Sequence, residues 1–311
     1  MAIFDTILVP LDGSPLAETA VPYAAALARA TGAQIVLLRV IEEMRPLYDV
    51  RRREVVWVDP AHPRQDLMSP EVLAPVAERL AADGLTVQSV VRLGDPRREI
   101  LTEAGRYPAP IIVISSHGRG GLGRVVLGSV ANRVLQMASC PVLVIRPRGA
   151  EAAPATVAFA RIAVPVDGSA LAEQALPIAV ELARATGATL HLVRVAETFR
   201  DELPDESELS FRTPSFQAIL EWFDQLEAEA RTYLQETATR LQEQGLDVTW
   251  EVRSGNPWDQ ILAFSTEARP DLIVMTTHGR GGLARWFYGS VADKLLTQSA
   301  VPLLLIRARE Q

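Results

Sequence analysis

Apolar positions along the chain fall into two kinds of run that alternate. Short stretches rich in Val, Ile and Leu, with no regular polar interleaving, lie at Thr6 to Leu11, Gln34 to Ile41, Thr86 to Arg92, Ile111 to Ser115 and Val142 to Arg146. Runs of that kind suit strands buried on both faces of a parallel sheet. Between them, helical patterns run from Pro15 to about Ala30, Pro70 to Asp83, Pro96 to Arg106 and Ser129 to Ala138. Ser14 precedes Pro15 and Asp95 precedes Pro96, so each helix start pairs a capping side chain with a residue suited to the first helical position. The order βαβαβαβαβ predicts a doubly wound α/β domain.

The second half of the chain repeats the first. The offset is 155 residues at Asp12 and Asp167 and 161 at Gly118 and Gly279, so six residues entered between about Val195 and Gly245. A Pro- and Ala-rich stretch beginning at Pro147 separates the copies. The expected division is residues 1–148, a linker at 149–158, and residues 159–311. Each copy is expected to be a five-stranded parallel sheet of order 3-2-1-4-5 with helices on both faces. After the second strand the copies diverge. Glu42 to Met68, with Arg51-Arg52-Arg53, Trp57 and His62 among prolines, reads as an irregular surface excursion and its basic triplet as a solvated run. Phe216 to Gln244 has the apolar spacing of a long amphipathic helix.

In that strand order the winding reverses between strands one and four, and ligands bind beyond the carboxyl ends of strands at such a reversal. Strand one ends in Pro10-Leu11-Asp12-Gly13-Ser14 and, in the repeat, Pro165-Val166-Asp167-Gly168-Ser169. Strand four runs into SSHGRGGLGRVVLGS at Ser115 to Ser129, which returns as TTHGRGGLARWFYGS at Thr276 to Ser290. A glycine-rich turn opening a helix presents backbone N–H groups and a helix dipole to phosphate. Ser129 reads as the cap of that helix or as a hydroxyl donor to phosphate, and Arg119 and Arg124 as the nearest cations.

Composition narrows the class. With 48% hydrophobic and 22% charged residues and no apolar run of bilayer length, the chain reads as soluble and globular, without a membrane role. The opening MAIFDTILVPLDGS lacks a basic leader and reads as a first strand, and the single cysteine, Cys140, supplies neither a disulfide nor a cysteine metal cluster. A cytoplasmic location is expected, with Cys140 a buried packing residue. A net charge of −7 argues against nucleic acid as the main partner. It leaves room for a small nucleotide held by backbone groups.

The loop is not a Walker A motif, since Gly123 and Gly128 are followed by Ser129 with no intervening lysine. Nor is it the dinucleotide fingerprint, which follows strand one. Each half instead resembles the universal stress protein domain, whose nucleotide-binding members carry Gly-x2-Gly-x9-Gly-Ser/Thr after strand four and an Asp ending strand one. Gly118-x9-Gly128-Ser129, Gly279-x9-Gly289-Ser290, VPLDGS at Val9 to Ser14 and VPVDGS at Val164 to Ser169 carry the resemblance. The family's first glycine is Ser115 in one copy and Thr276 in the other. The resemblance implies ATP binding, with Asp12 and the backbone of Val40 at the adenosine and Gly118, Gly128 and Ser129 at the phosphates. In the second copy the set is Asp167, Val195, Gly279, Gly289 and Ser290. Pro10, Ser115, Arg119 and Val130 complete the first candidate set, and Pro165, Thr276, Arg280 and Val291 the second.

Catalysis has little support in the sequence. His117 and His278 read as structural or phosphate-binding turn residues, and no Ser-His-Asp order or metal cluster surrounds them. Asp12 is a candidate to help hold Mg2+ beside phosphates, and equally a ribose partner or a turn cap. The leading expectation is a stress-response regulator that binds ATP. The alternatives are an interaction scaffold that has kept the turn without the ligand, and a slow ATP-hydrolysing or ATP-using enzyme. Strand five, apolar and outermost, predicts pseudo-twofold pairing of the halves and dimerisation of chains.

Overall fold

Strands dominate the core because their side chains are aliphatic on both faces. The computed structural model describes residues 3–42, 45–49, 54–58, 70–116, 127–146, 156–198, 214–277 and 289–308. The chain divides into two units, Met1–Val157 and Ala158–Gln311. The first runs β1 (Thr6–Pro10), α1 (Pro15–Glu18), α2 (Val21–Thr31), β2 (Gln34–Ile41), β3 (Arg45–Asp49), β4 (Glu54–Val58), α3 (Ala74–Ala82), β5 (Val87–Leu93), α4 (Pro96–Ala104), β6 (Pro110–Ser115), α5 (Ser129–Met137) and β7 (Val142–Ile145). The second runs β8 (Arg161–Pro165), α6 (Ala170–Glu173), α7 (Leu176–Thr186), β9 (Thr189–Ala196), α8 (Pro214–Gln242), β10 (Val248–Ser254), α9 (Pro257–Glu267), β11 (Leu272–Thr276), α10 (Ser290–Gln298) and β12 (Leu303–Ile306).

Within the first unit the parallel order is β5-β2-β1-β6-β7, and within the second β10-β9-β8-β11-β12. Both are the order 3-2-1-4-5 expected from the alternation of strands and helices. Ile7, Leu8 and Val9 of β1 and Ile111, Ile112 and Val113 of β6 are wholly buried. Each such aliphatic side chain contributes about 1.5–3 kcal/mol on leaving water. Among the described residues no helix is long and apolar enough to cross a membrane.

Prolines decide where the helices differ from the sequence reading. The single helix expected from Pro15 to Ala30 is two, α1 and α2, because Pro22 has no N–H for the Glu18 carbonyl and its ring would strike that group. Pro177 divides α6 from α7 in the same way. Pro75 likewise leaves Pro70–Leu73 as a 3-10 turn ahead of α3. The excursion after β2 is not wholly irregular. β3 and β4 pair antiparallel within it, Leu47 opposite Val56, and the β-prone Glu54–Val58 run supplies one strand. Arg51-Arg52-Arg53 and His62 lie outside the described residues. Cys140 is half-buried rather than buried, and burial pushes its thiol up to about 11, which leaves little thiolate at neutral pH.

The two units carry opposite charge arrangements at one position in the fold. In the first, the Glu103 carboxylate, 2% exposed, accepts from Arg92 Nε at 2.9 Å and from Tyr107 Oη at 3.3 Å, and pairs with Arg106 Nε at 3.3 Å. In the second, the 161-residue register puts Phe264 in place of Glu103 and Glu267 in place of Arg106. Arg253, equivalent to Arg92, lies 5.4 Å from the Phe264 ring and donates to Glu251 and Glu267, both at 2.6 Å. His191, which replaces Val36, fits beside them. Its ring is 5.0 Å from that of Phe264, its Nδ1 is 2.8 Å from Thr249 Oγ1, and its Nε2 is 3.6 Å from Glu251 Oε2, beyond hydrogen bonding.

Removing the buried carboxylate by Glu103→Ala leaves two arginines and a tyrosine without their shared acceptor. The expected loss is about 2–3 kcal/mol in urea unfolding, kept below the fully buried case because both arginines retain solvent access. A loss under about 0.5 kcal/mol, the scale of an ordinary surface change, would show the cluster to be ornamental. For His191, burial outweighs the pull of Glu251 and sets the pKa below the ordinary 6.5. The folded unit therefore binds fewer protons than the unfolded chain. Its contribution is complete above pH 6.5 and is lost as pH falls through the lowered folded pKa. Melting temperatures measured from pH 7.5 to 5 should fall less steeply in His191→Val than in the native chain.

Candidate functional site

The turn after strand one is held the same way in both units. Asp12 Oδ1 accepts the Ser14 N–H at 2.9 Å, and Ser14 Oγ accepts the Ala17 N–H at 3.1 Å to cap α1. Asp167 and Ser169 repeat the pair at 2.9 and 3.1 Å, capping α6. The residue between them must turn back sharply, and Gly13 and Gly168 do so at φ of 77° and 78°. Only glycine adopts that backbone without strain. Pro10 and Pro165, the last residues of β1 and β8, sit directly before these turns.

Strand two continues past the point where strand one leaves the sheet. The Leu11 N–H bonds the Leu38 carbonyl at 2.8 Å, and the Ile41 carbonyl faces the other way, accepting from Gly94 N–H at 3.0 Å. Because peptide groups alternate sides along a strand, the N–H and C=O of Val40 point toward the β1 side, beyond the end of that strand. Val195 has the same situation. The Val166 N–H bonds the Val193 carbonyl at 2.8 Å, and the Gly255 N–H bonds the Ala196 carbonyl at 3.0 Å. Each unit thus presents one adjacent donor and acceptor at the mouth of the crevice.

Strand four closes the other wall. Ser115 and Thr276, standing where the resembled domain has glycine, end β6 and β11 with 6% and 5% exposure, aligned with Ile145 and Ile306 of the next strands. The following carbonyls form a neck: Ser116 O accepts the Gly128 N–H and Thr277 O the Gly289 N–H, both at 2.7 Å. Gly118, Arg119 and His117, with Gly279, Arg280 and His278, lie in the segments between, outside the described residues.

The neck also resets the helix starts. Drawn toward Ser116, Gly128 has an extended ψ of 147° and is itself the N-cap of α5, its carbonyl accepting the Asn132 N–H at 2.8 Å. Gly289 does the same for α10, with Asp293 at 3.0 Å. Ser129 and Ser290 are therefore the first helical residues and not the caps expected from their type. Glycine brings no capping side chain, so the N–H groups of Ser129, Val130 and Ala131, and of Ser290, Val291 and Ala292, head their helices without one. Ser129 and Ser290 are exposed, Val130 and Val291 partly so. The dipole at such a terminus favours an anion.

Three further groups border the crevices and were not read from sequence. Arg39, 5% exposed near the end of β2, donates Nη1 to the Leu11 carbonyl at 3.4 Å. Its counterpart Arg194 packs against Gly168. An arginine inside an apolar strand is rare, and its recurrence in both copies was the available signal. The third is Asp293 in the first turn of α10, where α5 has Asn132. A carboxylate there competes with an incoming anion for the helix terminus. Among the described residues no group of His, Cys, Asp and Glu side chains is arranged to hold a metal ion. What each crevice offers is a carboxylate, a peptide donor and acceptor, and an uncapped helix terminus, a set suited to binding.

Comparison with known proteins agrees with this architecture. The model of the universal stress protein family matches residues 3–146 and again 158–307. A universal stress protein of Mycolicibacterium smegmatis is 26% identical over 313 residues, covering 97% of each chain. One from Mycobacterium tuberculosis is 30% identical over 322 residues, covering 97% of this chain and 94% of its own. The crystal structure of a universal stress protein from Archaeoglobus fulgidus superposes with a TM-score of 0.69 at 22% identity, covering 97% of this chain and 98% of that one. With both units matched and the full length shared, the chain belongs to the universal stress protein family as a tandem member.

Proposed function

We propose that each unit binds one adenine nucleotide, ATP, at its switch-point crevice, and that the protein acts in the cytoplasm as a nucleotide-dependent regulator of the stress response. The observation that carries the reading is the peptide of Val40, repeated at Val195, opened toward the crevice by the early end of strand one. A residue's N–H beside its own C=O on one strand edge matches the N1 acceptor and N6 donor on one edge of adenine. Asp12 and Asp167, oriented by their turns, suit ribose hydroxyls. Phosphates then reach the N–H groups of Ser129 and Val130, or Ser290 and Val291, with Gly118, Arg119, Gly279 and Arg280 contributed by the intervening segments. Asp12 or Asp167 would supply a hard oxygen ligand to Mg2+ accompanying the phosphates.

Regulation fits better than turnover. The groups named at each crevice, a carboxylate, a backbone donor and acceptor, and a helix terminus, are ones that bind and orient a nucleotide. A ligand that binds one conformation better than another shifts the population by that difference. Ser115 and Thr276 motivate the second reading, a scaffold that keeps the turn without the ligand, because their buried side chains occupy the end of strand four.

Protein purified without added nucleotide, then heat-denatured, should release adenine nucleotide, or the native chain should take up ATP to a limit of two per chain. Gly118→Arg together with Gly279→Arg should weaken that uptake by at least about tenfold, the equivalent of losing one charge-assisted contact. Protein that neither carries nor takes up adenine nucleotide leaves the scaffold reading in place of this one.

A further inference from the structure

The second crevice has a support that comes from α8. The guanidinium of Arg194 lies flat under the Asp167-Gly168-Ser169 turn, where a β-carbon on Gly168 would stand 3.2–3.4 Å from its Nη1, Cζ and Nη2 atoms. Tyr233 of α8 packs against the same guanidinium, with Cζ 4.8 Å from the ring centroid. The Tyr233 hydroxyl donates to Glu173 Oε1 at 2.9 Å, and burial beside that carboxylate pushes the phenol up to about 12, so it remains a donor throughout the neutral range. Glu173 belongs to α6, the helix that Ser169 caps. The contacts form a closed circuit from turn to arginine, tyrosine, glutamate and back to the turn. Farther along α8, Glu227 accepts from Ser254 Oγ at 2.6 Å, tying the helix to the carboxyl end of β10.

The first unit keeps the arginine and changes the residues at the matching positions. In the 161-residue register Val72 stands where Tyr233 does, and Glu18, the counterpart of Glu173, is 3.7 Å from Arg79 on an exposed surface. Arg39 donates to the Leu11 carbonyl.

Building on the nucleotide reading above, we propose that Arg194 and Tyr233 are positioning residues of the second site. Through them α8 holds the Asp167 turn in its ligand-ready form. A turn already fixed in its bound geometry loses less freedom when ligand arrives, so its affinity is higher for the same contacts. By reciprocity, nucleotide in the second crevice favours the docked position of α8 over β9 and β10.

Photolabelling of the full chain with 8-azido-ATP, read by mass spectrometry of the labelled peptides, reports each unit's occupancy across a titration. Tyr233→Leu and Arg194→Lys should each raise the half-saturating concentration of the second unit about tenfold, the worth of one partly desolvated cation–ring contact, and leave the first unit unchanged. Arg194→Lys keeps charge and length, so the test survives if Tyr233→Leu disturbs folding. Tyr233→Phe keeps the ring over the guanidinium and should restore labelling to within about threefold of native, the remainder being the lost hydroxyl bond. Unchanged labelling of the second unit in both disruptive variants, or an equal shift in both units, overturns the brace while leaving nucleotide binding intact. No labelling of either unit in the native chain, across concentrations that saturate ordinary nucleotide sites, overturns both readings together.

Discussion

The crevice of each unit depends on one geometric constraint: strand one stops before its neighbours do. Pro10 and Pro165 cannot donate to a ladder, and the carboxylates two residues on fold the backbone into a turn that glycine at positive φ completes. Once the chain leaves the sheet there, the next peptide of strand two has no strand beside it. Strand four, on the other flank, sends its chain to the opposite face. Crevice, peptide edge and carboxylate are thus three results of one interruption. A longer first strand would add ladder bonds and close the crevice.

Duplication preserved that interruption while letting the surrounding packing drift. Around the third strand the first unit buries an acid between two arginines, and the second exchanges the acid for phenylalanine and surrounds one arginine with two glutamates and a histidine. Both arrangements satisfy a guanidinium at the same point. The difference has a thermodynamic side, because the second introduces a histidine whose burial holds its pKa below the ordinary 6.5.

Much of this was legible in the sequence, for reasons that can be named. Continuous aliphatic runs such as Ile35 to Leu38 announce strands buried on both faces, and five of them separated by helical patterns leave few topologies. The repeat by itself places Asp12 and Asp167 at the reversal point. What escaped was local and steric. Pro22 and Pro177 divide helices whose apolar pattern runs through unbroken. Ser129 looks like a cap by composition, and only the pull of the Ser116 carbonyl on Gly128 moves the cap back by one residue. Arg39 and Arg194 escaped because a charge in an apolar run reads as an exception until its three-dimensional partner is known. Leu11, Gly168 and Tyr233 are 28, 26 and 39 positions away in the numbering.

The 2.7 Å necks at Ser116 and Gly128 and at Thr277 and Gly289 separate two tasks that loops usually combine. Closing a loop costs entropy that its own residues ordinarily help offset through contacts with the body of the fold. Here a backbone bond at the base, which any side chain permits, fixes where strand four ends and where the following helix begins. Because such a bond needs no particular side chain, the helix terminus that would receive an anion is placed by the backbone itself, and what a site there recognises can change faster than the scaffold that presents it.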